Sequence, residues 1–310
     1  MAPLSVVRAA NAAFSPSYFP VAIFVGGTSG IGQGIAQAFA RYTKGNAHII
    51  LVGRNQAAAD SIIASFPKPT VAGAKHEFVR CDADLIRNVH ATTSSLLARL
   101  PKVNFLVLSP GFASWKGRDE TPEGIDRRLA LHYYSRWKFI YDLLPLLRTA
   151  KDAGEDAKVM SILSAGIGTS VDVQNLGLKK SYLLGNPPVA SSSYTDLAMQ
   201  SFAEQHPDIA FIHSNPGVVR TQLLSRASWT IRIFNPLLEV LAYPWLVSAE
   251  ECAEYMLYGL FQSERGACRR GSKGDDIGTS PLQEANIRML VWDHTKEETE
   301  RALQLSTTNP

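Results

Sequence analysis

Short runs of continuous apolar, largely β-branched residues alternate along the chain with segments whose apolar positions recur every three to four residues. Val21–Val25 is the first such run, and His48–Val52, Glu77–Arg80, Val103–Leu108, Lys158–Leu163 and Ile209–His213 follow, with Met289–Trp292 as a seventh candidate. Between them Ile31, Ile35, Ala38, Phe39 and Tyr42 fall at helical spacing,. Leu85–Leu100, Ile125–Leu147, Ser191–His206 and Ala249–Gln262 also read as helices,. Strands that are apolar without alternation are buried on both faces, so the pattern predicts an α/β fold, a doubly wound parallel sheet with helices on both sides. Residues 1–20, closed by Pro16 and Pro20, read as an N-terminal lead-in. Residues 21–310 read as one domain, because no linker interrupts them. The Gly-, Ser- and charge-rich stretch Gly266–Gly278 reads as a surface loop,.

Composition narrows the function classes. The 310 residues are 45% hydrophobic and 19% charged, with a formal net charge of +3. The basic residues are scattered apart from Lys179-Lys180 and Arg269-Arg270, which is no footprint for nucleic acid,. Cys81, Cys252 and Cys268 are odd in number and lack metal-ligand spacing, which fits a reduced intracellular protein,. The most apolar stretch, residues 231–247, is broken by Arg232, Pro236, Glu239 and Pro244, so no membrane span is expected,. No apolar leader opens the chain, and a cytoplasmic location is expected.

The sharpest local signal is Gly26-Gly27-Thr28-Ser29-Gly30-Ile31-Gly32, placed between a strand and an amphipathic helix. Glycines there permit positive φ and close approach of a pyrophosphate, while the helix N-terminus offers unpaired N–H groups. In that setting the motif predicts a Rossmann-like dinucleotide site.

The motif resembles the TGxxxGxG pattern of the short-chain dehydrogenase/reductase family. Gly26, Gly30 and Gly32 match its glycines, and Val25 replaces its threonine. Further markers follow in order: Arg54 and Asn55 after the second strand, Asp82 after the third, and Ser109-Pro110-Gly111 where the family has Asn-Ala-Gly. Asn215-Pro216-Gly217-Val218-Val219-Arg220-Thr221 resembles its Pro-Gly loop. The resemblance covers about residues 21–262. It implies that Asp82 lies at the adenine, Gly111 at the adenosine ribose, and Pro216, Gly217, Val219 and Thr221 on the nicotinamide side. Arginine in place of an acidic residue after the second strand suits the 2′-phosphate of NADP(H).

The same resemblance implies a Ser-Tyr-Lys-Asn set, of which two members are kept. Ser164 matches the serine and Tyr194 the tyrosine, whereas Ala198 stands at the lysine position and His132 at the asparagine position. A phenol of ordinary pKa near ~10 needs a neighbouring cation to act as a base near neutrality, so the missing lysine matters. Tyr182 is a rival for the tyrosine, and Lys179 or Lys180 could replace the cation from the loop. His132 reads equally as a proton relay or a buried structural histidine.

Trp229, Ile231, Phe234, Leu238 and Trp245 make the segment about 222–247 apolar. In the family this is a substrate lid, which implies a hydrophobic small-molecule substrate. A helix pair packed on the core or an oligomer interface would carry the same pattern. Similarity to fungal members with the same Gly-rich start and a Tyr-x-Asp-Leu motif implies natural-product tailoring. The family also commonly forms homo-oligomers, through helices beginning here near Ile125 and Ser191. Two functions are therefore expected to compete: NADP(H)-dependent oxidoreduction, and cofactor binding without redox chemistry as a sensor, scaffold or isomerase.

Overall fold

A computed structural model describes residues 2–114, 116–220, 247–282 and 284–308. Seven parallel strands form one sheet in the order β3-β2-β1-β4-β5-β6-β7. They are β1 (Val21–Val25), β2 (His48–Gly53), β3 (Lys75–Arg80), β4 (Phe105–Leu108), β5 (Lys158–Ile162), β6 (Ala210–Ser214) and β7 (Gly266–Arg270). The helices are α1 (Leu4–Ala12), α2 (Gly30–Tyr42), α3 (Gln56–Ala64), α4 (Ile86–Arg99), α5 (Arg127–Leu129), α6 (Ser135–Asp152), α7 (Asn186–Gln205), α8 (Ala249–Gln262) and α9 (Ala285–Thr308). Parallel strands in alternation with helices make this a Rossmann-like, doubly wound α/β fold.

Every residue of β1, β4, β5 and β6 is buried, as the unbroken apolar runs predict. The side chains divide between two cores. One lies under α4, α6, α7 and α9, the other under α1, α2, α3 and α8. The second is rich in rings: Phe14 stacks on Phe261 with centroids 4.0 Å apart, and Phe39 meets Phe24, Phe105 and Phe14,.

Three segments differ from the sequence reading. The lead-in contains a helix, α1, which is tied to α8 by Asn11 Nδ2 donating to the buried Glu254 carboxylate at 3.0 Å. Residues 266–270, expected in a loop, form the edge strand β7; their main chain pairs with β6 although four of the five side chains are only half-buried. Met289–Trp292 lies inside α9 and not in a strand. A four-residue apolar run does not distinguish a strand from one turn of a helix packed on the core.

The register carries the fold toward its site. Val25 pairs with Val52 and Leu108, and Ile162 with Ser214, so the C-terminal ends of the central strands form one rim. The strand order reverses between β1 and β4, the switch point at which such sheets open a crevice,.

Candidate active site

At that switch point the glycine turn has no room for side chains. Gly26 has φ +80° and donates its N–H to Val52 O at 2.9 Å. A Cβ on Gly32 would stand 2.1 Å from Ser109 Oγ and 2.6 Å from Gly26 O. Ser109 reaches that position because its hydroxyl donates to Val25 O at 3.0 Å, which fastens the end of β4 to β1. Ser29 caps α2 in extended conformation without a side-chain cap bond, which leaves the first-turn N–H groups of Gly30, Ile31 and Gly32 for an external anion,. The sequence pointed to these glycines but not to Ser109 as the side chain that requires them.

Arg54 follows β2 and is 67% exposed, with its guanidinium 3.8 Å from the Asp82 carboxylate. Thr28 sits beside it, since a Cβ on Gly53 would lie 2.9 Å from Thr28 Oγ1. Asn55 is engaged elsewhere: its Oδ1 caps α3 by accepting from Ala58 N at 3.1 Å,. Thus Arg54, Asp82 and Thr28 surround the turn, and Asn55 orients the helix behind it.

The other wall is the β4 loop. Gly111 leads to Phe112, whose N–H donates to His132 Nε2 at 3.2 Å. His132 lies in a π-helical turn, Ala130–Tyr134, that interrupts the run from α5 into α6. Such turns widen a helix locally and recur at functional sites. Burial, reinforced by Arg136 and Arg128, holds the imidazole down to about 3, so His132 is neutral at physiological pH,.

The Pro-Gly loop closes the third side. Asn215 Nδ2 donates to Ala165 O at 3.2 Å and its Oδ1 accepts from Gly217 N at 2.9 Å, joining this loop to the one that carries Ser164. Gly217 has φ +70°. Val219 is held by a bridge to Val247. Thr221 and residues 222–246 of the expected lid lie outside the described residues. Ser164 is half-buried at the end of β5, and its hydroxyl makes no hydrogen bond among the described residues. Ile167, Val218 and Ile277 leave apolar surface around this rim.

Tyr194 is placed differently. It is 2% exposed and packs edge-on against Tyr133 at 5.2 Å. Burial pushes the phenol up to about 12. Tyr194 is buried while Ser164 is half-buried, and no hydrogen bond joins the two among the described residues. Ala198, one turn on, lines a cavity of about 10 Å3 with Arg136, Ser161 and Thr195. A lysine there would face another cation and not the rim. The rival Tyr182 donates to Asp126 Oδ2 at 2.9 Å and accepts from Arg128, which occupies it in a clamp. Lys179 pairs with Glu298 at 2.5 Å. The residue that sequence reasoning missed is Arg136, buried under the strand ends; only its place one helical turn after His132 could have marked it.

The described residues hold no group of three or more His, Cys, Asp or Glu able to bind a metal, and no described helix is long and apolar enough to cross a membrane.

Comparison with known proteins agrees with this geometry. The family description "short chain dehydrogenase" matches residues 20–169. An oxidoreductase of Emericella nidulans is 33% identical over 98% of this chain and 99% of its own length. A second oxidoreductase, from Emericella variicolor, is 30% identical over 83% of this chain and 74% of its own. Among solved structures, a short-chain dehydrogenase from Sphingobium yanoikuyae in complex with NADPH superposes with a TM-score of 0.59 at 18% identity, covering 94% of this chain and 96% of the other. At that identity the likeness is one of fold.

Proposed function

The chain belongs to the short-chain dehydrogenase/reductase family, and from that premise we propose that it moves hydride between NADP(H) and a carbonyl or alcohol on a largely apolar small molecule. The observation that carries the cofactor choice is Arg54, exposed after β2 beside Thr28. Asp82, the carboxylate within reach, is paired to that arginine at 3.8 Å and lies after β3. A guanidinium in this position favours the 2′-phosphate over a free 2′-hydroxyl. The pyrophosphate would lie on Gly26, Thr28, Ser29, Gly30, Ile31 and Gly32, where the missing Cβ atoms make room. Asp82 would meet the adenine, Gly111 the ribose, and Pro216, Gly217, Val219 and Thr221 the carboxamide side. Asn55 supports Arg54 through the α3 cap.

The cofactor, when bound, supplies or accepts the hydride. Ser164, with its hydroxyl uncommitted, holds the substrate oxygen. His132 stays neutral, keeps its proton on Nδ1 and accepts from Phe112 N at Nε2, which holds the β4 loop beside the substrate. Tyr194, buried in this structure, would pass the proton to the substrate oxygen. The apolar rim of Ile167, Val218 and Ile277 supports a hydrophobic substrate. The fungal oxidoreductase relatives suit natural-product tailoring; a cytoplasmic setting and a homo-oligomer paired through the helical run from Ile125 and through α7 belong to the same proposal, by family resemblance.

The experiment is a titration with NADPH and NADH, followed by nicotinamide fluorescence, on the protein and on Arg54→Asp. NADPH is expected to bind at least about tenfold tighter than NADH, a difference of ~1.4 kcal/mol, and Arg54→Asp to erase the preference. Equal affinity for both would remove the NADP(H) assignment; binding of neither would remove the dehydrogenase reading.

A second reading, cofactor binding without redox chemistry, is favoured by one observation: Tyr194 and Ala198 face the interior. NADPH binding without turnover of any carbonyl in a broad panel of apolar ketones and aldehydes would select it.

A further inference from the structure

Arg136 is 2% exposed, and no carboxylate lies within ion-pair distance of it among the described residues. Its guanidinium is spent on the main chain of three separate segments. Nη2 donates to Pro110 O at 2.6 Å in the β4 loop. Nη1 donates to Leu108 O at 3.3 Å, Ser161 Oγ at 2.8 Å and Ile162 O at 2.8 Å, at the ends of β4 and β5. Nε reaches Leu131 O at 3.4 Å, inside the π-helical turn. Three of the five acceptors lie within two residues of a group assigned to the site: Pro110 precedes Gly111, Ile162 stands two before Ser164, and Leu131 precedes His132; Leu108 and Ser161 lie three residues from Gly111 and Ser164.

A lone buried cation is costly, and replacement by a well-packed apolar residue is often the more stable solution. A guanidinium kept in that position, with its planar fork spread over three walls, therefore has a use that packing does not meet. Burial lowers it only to about 9, so it stays charged at neutral pH.

We propose that Arg136 is a positioning residue for the catalytic half of the site, which holds the β4 loop where it meets His132, the Ser164 strand end and the His132 turn at fixed separation and places a positive charge beneath them. It occupies the interior next to Ala198, so the positive charge of this half comes from α6 and lies under the rim, whereas α7 contributes none there. The proposal rests on the cofactor reading above.

The test compares two probes, NADPH and adenosine 2′,5′-bisphosphate, which carries the adenine half alone. In Arg136→Lys, which keeps the charge and loses the fork, NADPH affinity is expected to fall about tenfold or more. Affinity for the bisphosphate should stay within about twofold, because Arg54, Asp82 and the glycine turn placed around it make no bond to Arg136, and of the residues placed there Gly111 alone adjoins one of its acceptors,. Equal loss for both probes, or no loss for either, would overturn the proposal and leave Arg136 as scaffolding. If Arg136→Lys does not fold, Ser161→Ala removes one acceptor of the fork. It should lower NADPH affinity about threefold with the bisphosphate unchanged, and an unchanged NADPH affinity would overturn the proposal. Failure of the unmodified protein to bind either probe would instead overturn the cofactor reading, and this proposal with it.

Discussion

At the β1–α2 turn glycines stand where a Cβ would strike the neighbouring chain, while at the β5–α7 end the aromatic and polar side chains are buried. Gly26 and Gly32 leave space that a single Cβ would close, and Arg54 stands exposed beside them. Tyr194 is packed on Tyr133, and Ala198 faces Arg136 across a small cavity. The first region, on the proposed function, is built around a ligand outside the protein. The second is built around its own interior. The difference teaches that the nucleotide half and the catalytic half of one fold answer to different constraints: close backbone approach in one, side-chain burial in the other.

Four substitutions would break or sharpen this contrast. The largest effect is expected from Ala198→Lys. It would bury an ammonium beside the Arg136 guanidinium, with no carboxylate to offset either, at a cost of about 3–5 kcal/mol,. Urea unfolding should show the loss, and no gain in reductase activity should accompany it. A stable variant with higher turnover would mean that position 198 opens to the site.

Gly32→Ala comes next. Its Cβ would stand 2.1 Å from Ser109 Oγ, so the turn must shift; about 1–3 kcal/mol of stability and most of the NADPH affinity should go together,. Retained affinity would show that the pyrophosphate does not lie there.

Acid separates the two regions as well. The folded His132 stays neutral down to about 3, whereas the unfolded imidazole takes its proton near 6.5. The unfolded state therefore binds more protons between those values. The stability that neutral His132 contributes is full above 6.5 and falls as pH drops toward 3, by about 1.4 kcal/mol per unit inside the window. In the nucleotide half, burial pushes Glu77 up, but Lys75, Arg99 and His48 outweigh it and hold the carboxyl down to about 2. Its contribution is full above the ordinary 4.5 and is lost only as pH falls from there toward 2,. His132→Asn, whose side-chain oxygen can still accept from Phe112 N, should flatten the 6.5-to-3 limb in pH-dependent melts and leave the lower limb intact. An unaltered upper limb would show that His132 titrates normally.

The smallest effect is expected from Tyr194→Phe. It removes one buried hydroxyl and should cost at most about 1 kcal/mol,. If the tyrosine acts only as packing, turnover of any established substrate should be unchanged. A loss of turnover without a matching loss of stability would place Tyr194 in the chemistry.

The order of strands and helices, the glycine turn and Arg54 were legible because each is encoded locally: a period of apolar residues, a run of small residues, a charge at a strand end. Strand β7 and helix α9 were misread for the same reason. Gly266–Arg270 has loop composition and becomes a strand only because β6 offers a free edge, and Met289–Trp292 carries too few residues to show its period,. The catalytic half was the least legible. A sequence match assigns Tyr194 a position on a helix, but which way that helix face points depends on how α6 and α7 pack on the sheet.

By itself, then, the sequence determined a parallel α/β sheet and a glycine turn between β1 and α2, since backbone propensity and the absence of side chains are properties of a few adjacent residues. Only the tertiary structure decided that Tyr194 and Ala198 face inward and that Arg136 joins three walls of the site. These outcomes depend on burial and on hydrogen-bond partners 26 or 28 residues apart in the chain, and no local pattern records them.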